Sequence, residues 1–214
     1  MQILEQLGLA LGLASLAGLN LYLTVFLTGL LVRLDALHLA AKYQNLEVLG
    51  HDWVLIAAGV LYAIEFVADK VPWLDSLWDS IYTLIRPAGG TILAAQALGN
   101  LPPHIEMIGA LLAGGAALTT HSAKAGTRLL ANHSPEPASN IALSIAEDIT
   151  VVAGTLVMLM KPVLALCLFS VALIILWLVL PRMFRVIRRS FEVVRSKWRA
   201  VFERSESPGT VCAR

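Results

Sequence analysis

Long apolar stretches alternate with short polar ones along this chain, at lengths that suit a lipid bilayer. The first stretch, Leu9 to Val32, carries no charge and exceeds the roughly 20 residues a transmembrane helix needs, so it predicts one uninterrupted span. Gly12, Ser15 and Gly18, with Asn20 nearby, give it a small-residue face suited to close packing. After a polar connector, Arg33 to Asp52 with Lys42, Tyr43, Gln44 and Asn45, a second span is predicted from the interfacial Trp53 to Ala68. The third, Trp73 to Leu98, starts acidic and Trp-rich and has Arg86-Pro87-Ala88-Gly89-Gly90 at its centre. Proline removes a backbone donor and the two glycines loosen the next turn, which predicts a broken, kinked or re-entrant helix.

The turn Gly99-Asn100-Leu101-Pro102-Pro103 closes that segment. A fourth span, Ile105 to Leu130, opens with Gly109, Ala110, Ala113, Gly114, Gly115, Ala116 and Ala117 and becomes charged at His121, Lys124 and Arg128. The loop from Asn132 through His133, Ser134, Pro135, Glu136 and Pro137 offers Ser139 or Asn140 as the N-cap of a fifth span, Ile141 to Met160. Lys161-Pro162 ends it, and a uniformly apolar sixth, Val163 to Leu180, stops at Pro181.

Composition agrees with this pattern: 57% of the 214 residues are hydrophobic and 14% charged, and mean hydropathy is +0.74, against about a quarter charged in soluble domains. The expected fold is an all-α polytopic membrane bundle of about six spans, with one or more broken or re-entrant helices and a C-terminal amphipathic helix. Residues 1–181 form the transmembrane domain and 182–214 a basic cytoplasmic tail. No room remains for a soluble catalytic domain, and the N-terminus lacks the basic region of a cleaved signal. Nucleotide-binding, HExxH and zinc-finger patterns are absent, and Cys167 and Cys212 make no disulfide framework.

Net charge is +1, yet nine of the 16 Lys and Arg residues fall between Arg182 and Arg214. There Phe184, Ile187, Phe191, Val194, Trp198 and Val201 recur at 3 and 4 spacing among arginines, which predicts a helix lying on an anionic leaflet. A coiled coil between subunits is the competing arrangement, and nucleic acid is not an expected partner. The positive-inside tendency makes this tail cytoplasmic in a bacterial inner membrane, and six spans would put both termini on one side. Five would separate them.

Charges inside apolar helices are the informative residues, because each costs a few kcal/mol or more unless paired or wet. Asp75, Asp79, Tyr82 and Arg86 fall at i, i+4, i+7 and i+11 on one helix face, and His121, Lys124 and Arg128 at i, i+3 and i+7 on another. Glu65 and Asp69 form an i, i+4 acidic pair followed by Lys70, and Ser144, Glu147 and Asp148 supply a further acidic patch. Two readings compete: salt bridges that staple helices together, or a water-filled cavity lined by these stripes. No paired-His spacing supports a metal at His121, and neither metal nor cofactor is predicted.

A weak match between Ser15-Leu16-Ala17-Gly18-Leu19-Asn20 and Ala123-Lys124-Ala125-Gly126-Thr127-Arg128 suggests an internal duplication with a helix break in each half. The run Glu65-Phe-Val-Ala-Asp69-Lys70-Val-Pro72-Trp-Leu-Asp75-Ser-Leu-Trp-Asp79, then Arg86-Pro87-Ala-Gly89, His121-Ser-Ala-Lys124-Ala-Gly126-Thr-Arg128, Asn132, Ser134-Pro135-Glu136-Pro137, Ser139-Asn140 and Glu147-Asp148 resembles an uncharacterised bacterial membrane family of unknown function. The resemblance covers about residues 9 to 160 and leaves out the sixth span and the tail. It implies that the polar stripes belong to one site, with no activity to carry over.

The function expected from these features is a transporter or channel for a small polar solute, anionic or proton-coupled. Arg86, Lys124 and Arg128 would hold an anionic group, Asp75, Asp79, Glu147 and Asp148 would brace those bases or carry protons, and His121 would tune protonation. The alternatives are an intramembrane enzyme or handler of phosphate-bearing lipid, and an assembly factor. A homodimer is compatible with the Gly109 to Ala117 face, which suits packing within the bundle and between subunits equally.

Overall fold

The computed structural model describes residues 2–35, 44–71, 74–132 and 137–205, and among these the chain is helical with no strand. Lys42, Tyr43, Pro72, Trp73, His133 to Glu136 and Cys212 lie outside the described residues, as do the side chains of Phe191, Val194, Trp198 and Val201. The helices are α1 (Gln2–Leu19), α2 (Leu21–Arg33), a 3-10 segment (Gln44–Gly50), α3 (Asp52–Ala68), α4 (Leu74–Leu98), α5 (Pro103–Ala131), α6 (Pro137–Met160) and α7 (Pro162–Ser205).

The charge-free first stretch is not one span. It breaks at Asn20, which has extended backbone (φ −146°, ψ 99°) and caps α2 by accepting the Leu23 N–H on its side chain at 3.0 Å. An asparagine side chain replaces one of the backbone partners that a helix start lacks, so this single polar residue ends one helix and starts the next. The chain also turns back there. On α1, Gly8 lies against Pro162 and Leu166, Gly12 against Met158, Leu16 against Gly154 and Ala14 against Gly90, so α1 runs against α6 and α4. On α2, Leu21 meets Gly89, Phe26 meets Gly59, Gly29 meets Leu49 and Leu55, and the 3-10 segment reaches Gly99. Hence α2 runs along α4, and the two outer ends of the α1–α2 hairpin share one end of the bundle. Its tip reaches Asp148, halfway along α6. Asn20→Ala is expected to cost about 1–2 kcal/mol, the usual worth of an N-cap, read as a lower unfolding temperature in detergent with helix content retained.

The third segment inverts expectation in the opposite sense: α4 passes through Pro87 without a break. Proline removes one backbone bond, a loss that packed membrane helices tolerate, and the glycines after it serve contact instead. A methyl group on Gly90 would come within 2.7 Å of Ala117, and one on Gly89 within 2.8 Å of Leu21. A bend of 62° lies between the 3-10 segment and α3. The Lys124 to Arg128 stretch sits inside continuous α5, so the break at Asn20 has no counterpart there.

Pro181 does not end the last helix either; α7 continues to Ser205, about 66 Å at 1.5 Å per residue. Arg182 donates to the Leu178 carbonyl and Arg185 to that of Pro181. Beyond the proline, Met183 lies against Gly126 of α5 and Ile187 is buried. Ser139 and Asn140 are inside the first turn of α6 rather than at its cap, because the helix starts at Pro137.

The core is centred on α1, with Leu9, Leu13, Leu16 and Ala17 fully enclosed by Leu93, Ala94, Leu98, Ala117, Val151 and Met158. Among the described residues, two helices are long and apolar enough to cross a membrane, 138–160 in α6 and 162–189 in α7, or three if the bent pair before α4 acts as one. By length and composition, then, the described helices give two or three clear spans of the six expected. The 25 residues of α4 and 29 of α5 are long enough for a bilayer of roughly 30 Å, but they carry the charges.

Candidate functional site

Both predicted stripes are buried. Asp75, Asp79, Tyr82 and Arg86 all face inward from α4, and His121, Lys124 and Arg128 from α5. The two helices run antiparallel, so the stripes meet, and the end of α3 and the middle of α6 bring Glu65, Asp69, Glu147 and Asp148 to them. Arg86 pairs with Glu65 at 2.6 Å and Asp79 at 3.1 Å, all three being at most 3% exposed. Lys124 reaches Asp69 at 2.9 Å, Glu147 at 3.3 Å and Glu65 at 3.5 Å. Arg128 pairs with Glu147 at 2.7 Å, Asp69 at 3.3 Å and Asp75 at 3.6 Å, and donates to the Asp69 carbonyl at 2.6 Å.

His121 closes the inner end. Arg86 can only donate, so Nδ1 of His121, 2.9 Å away, accepts. Its Nε2–H then faces Thr83 Oγ1 at 3.2 Å, and that hydroxyl donates to the Asp79 carbonyl at 3.0 Å. One directed chain of donors results, with a neutral imidazole that spaces and orients Arg86. Tyr82 lies beside the guanidinium and shares a 2.8 Å hydroxyl contact with Tyr22 of α2. At the outer end, Asn132 donates to Asp75 and Ser76, and Asn140 donates to Asn132.

The broken helix feeds this cluster from both of its ends. At the end of α1 the Leu19 carbonyl, freed by the break, accepts from Lys124 at 3.1 Å, which suits the negative end of a helix dipole. At the start of α2, Asn20 Nδ2 donates to Asp148 at 3.2 Å, and Tyr62 of α3 donates to the other oxygen of the same carboxyl at 3.2 Å.

Two predicted members stand apart. Lys70 folds back over the ring of Phe66 and donates to its own helix at the Phe66 carbonyl, outside the ion pairs. Ser144 is buried one turn before Glu147 but makes none of these bonds. Most of these charged side chains are buried against one another. Grooves of about 460 and 520 Å³ flank α3, and their walls, including Val25, Trp53, Leu61, Ile64 and Trp78, carry no charge.

Among the described residues, no group of three or more His, Cys, Asp and Glu is arranged to hold a metal. Six carboxyl groups, Glu65, Asp69, Asp75, Asp79, Glu147 and Asp148, gather around three cations, Arg86, Lys124 and Arg128. Among the described residues, no group donates to Glu65 Oε2, Asp69 Oδ1 or Asp79 Oδ2, although all three are buried.

Residues 7–182 match the model of a family described as a domain of unknown function, DUF4126. The match takes in the last apolar helix, which the resemblance in sequence leaves outside, and stops where the basic tail begins. No curated protein and no solved structure matches the chain.

Proposed function

Because the chain belongs to the DUF4126 family, which brings no activity with it, we propose a function from the geometry: a membrane transporter for a small polar solute, coupled to protons. One observation carries this reading, the excess of carboxyl groups over cations, gathered at the tip of a broken helix. Pure stability is poorly served by such an arrangement, since buried ion pairs seldom outperform apolar packing. Transporters use half-helix ends beside charges for binding near mid-membrane, and the Leu19 carbonyl on Lys124 and the Asn20 cap on Asp148 are such ends.

The same count favours a proton-coupled solute over an anionic one. Each cation is already held by two or three carboxylates, so an anion or a lipid phosphate would have to displace them from a site with three surplus acids. Protons, by contrast, relieve the surplus. In this reading α3 to α7 make five crossings, and the α1–α2 hairpin enters from one side and returns to it. The N-terminus then lies opposite the tail. The exposed Arg182, Arg185, Arg188 and Arg189 favour a tail on the anionic cytoplasmic face of a bacterial inner membrane.

The test is dissipation of an imposed pH gradient in proteoliposomes, followed with an entrapped pH dye while cationic, zwitterionic and anionic solutes are added one class at a time. One class is expected to collapse the gradient with wild-type protein and fail to do so with Glu65→Gln. If every class leaves the gradient as it is in protein-free vesicles, the transport reading falls and an assembly role takes its place.

A further inference from the structure

Five of the six clustered carboxyl groups have a cation within ion-pair distance: Arg86 for Glu65 and Asp79, Lys124 or Arg128 for Asp69, Asp75 and Glu147. Asp148 has none among the described residues. Its two oxygens take bonds from neutral donors, Asn20 Nδ2 on Oδ1 and the Tyr62 hydroxyl on Oδ2. It is only half-buried, where Glu65 and Asp75 are fully enclosed. A group that must change charge needs a path to water and no permanent counter-ion, and of the six only Asp148 meets both conditions.

Its position is equally specific. Asn20 has two attachments: its Oδ1 holds the Leu23 N–H at the start of α2, and its Nδ2 holds Asp148. The hairpin tip is therefore tied to α6 through this one carboxylate, and Tyr62 ties α3 to its other oxygen. The charged and titratable groups around it are Tyr62 and Asp69 from α3, Lys70 just beyond that helix, Lys124 from α5 and Glu147 next to it in α6. The hairpin contributes no charge at this point, only Asn20.

We propose that Asp148 is the proton-binding site of this protein and that its protonation is read out by the α1–α2 hairpin through Asn20. This rests on, and deepens, the transport reading above. The carboxylate takes a proton from water on one side, forming an O–H bond on Oδ2. The Tyr62 hydroxyl must then turn from donating to accepting, and the Asn20 bond changes from charge-assisted to neutral, roughly half as strong. The hairpin tip and α3 are loosened together. Loss of the proton to the other side restores both bonds.

Infrared difference spectra between alkaline and acidic buffer, on the full chain in liposomes, test the site without requiring any solute. A protonated-carboxyl band that titrates in wild type, disappears in Asp148→Asn and shifts in Tyr62→Phe is the expected result. The same band surviving in Asp148→Asn, or unmoved in Tyr62→Phe should the asparagine variant fail to fold, overturns it. The coupling has its own readout: at one alkaline pH, amide exchange over residues 20–25 is expected to be roughly tenfold faster in Asp148→Asn than in wild type, since the tip bond is then neutral. Equal exchange overturns the link to the hairpin. A titrating band in a protein that moves no solute supports the site and removes the transport reading alone.

Discussion

Arg86→Met is expected to lower stability by about 3–5 kcal/mol, the cost of leaving buried charge without its partner. The guanidinium is fully enclosed between Glu65 and Asp79, and it supplies the donor that His121 Nδ1 accepts. A methionine fills the space but leaves Asp79 with no ion-pair partner among the described residues and Glu65 with Lys124 alone, at 3.5 Å. At roughly 2–4 °C per kcal/mol for a chain of this size, the unfolding midpoint in detergent should fall by about 6–20 °C. Adding Glu65→Gln should restore part of that loss, because it removes the buried carboxylate that has lost the closer of its two cations. Arg86→Lys should lie between, since an ammonium cannot span both carboxylates with a planar fork. A midpoint within about 2 °C of wild type in Arg86→Met, where a loss of less than 1 kcal/mol is implied, would show that the pairs are dispensable staples.

How well the sequence foretells this site differs sharply from how well it foretells the fold. Helical spacing alone identifies the Asp75, Asp79, Tyr82, Arg86 face and the His121, Lys124, Arg128 face, because a charge in an apolar helix has few places to go. It does not find Tyr62, Thr83 or Asn132, whose hydrogen bonds depend on which helices meet. Lys70 groups with the acids by proximity in sequence, yet the end of α3 turns it outward onto Phe66.

The breaks escape a reading of the sequence for a local reason. Hydropathy averaged over Leu9 to Val32 hides one asparagine, although a lone residue of strong N-cap preference in a charge-free run is itself the available signal. At Arg86-Pro87-Ala88-Gly89-Gly90 the opposite error arises. Proline and glycine disfavour an isolated helix, but here the glycines make room for Leu21 and Ala117, a tertiary demand that no local rule contains. Pro181 misleads in the same way, since the helix on either side of it is held by packing on α5.

The close approach of helices behind the hairpin gives the second large effect. At Gly18, a Cβ atom would collide with Thr120 Oγ1 and with the Ala117 carbonyl of α5. That carbonyl is backbone inside a helix and cannot swing aside as a flexible side chain would. Gly18→Ala should therefore cost about 1–3 kcal/mol through overpacking, and Gly18→Leu more, even though alanine is the better helix former by about 1 kcal/mol. Gly115 supplies the control, because a Cβ there would meet nothing within 4 Å, so Gly115→Ala should be neutral or gain stability. The two substitutions are chemically identical and lie in the same bundle, so their difference isolates the α1–α5 contact. It also bears on the site: Gly18 is two residues from Asn20 and next to Leu19, whose carbonyl holds Lys124. Displacing α1 should accordingly withdraw that carbonyl and weaken the Asn20 bond to Asp148, so Gly18→Ala is expected to speed amide exchange over residues 20–25 while Gly115→Ala leaves it unchanged. Equal midpoints and equal exchange in the two variants would mean that the hairpin does not press on α5 at Gly18.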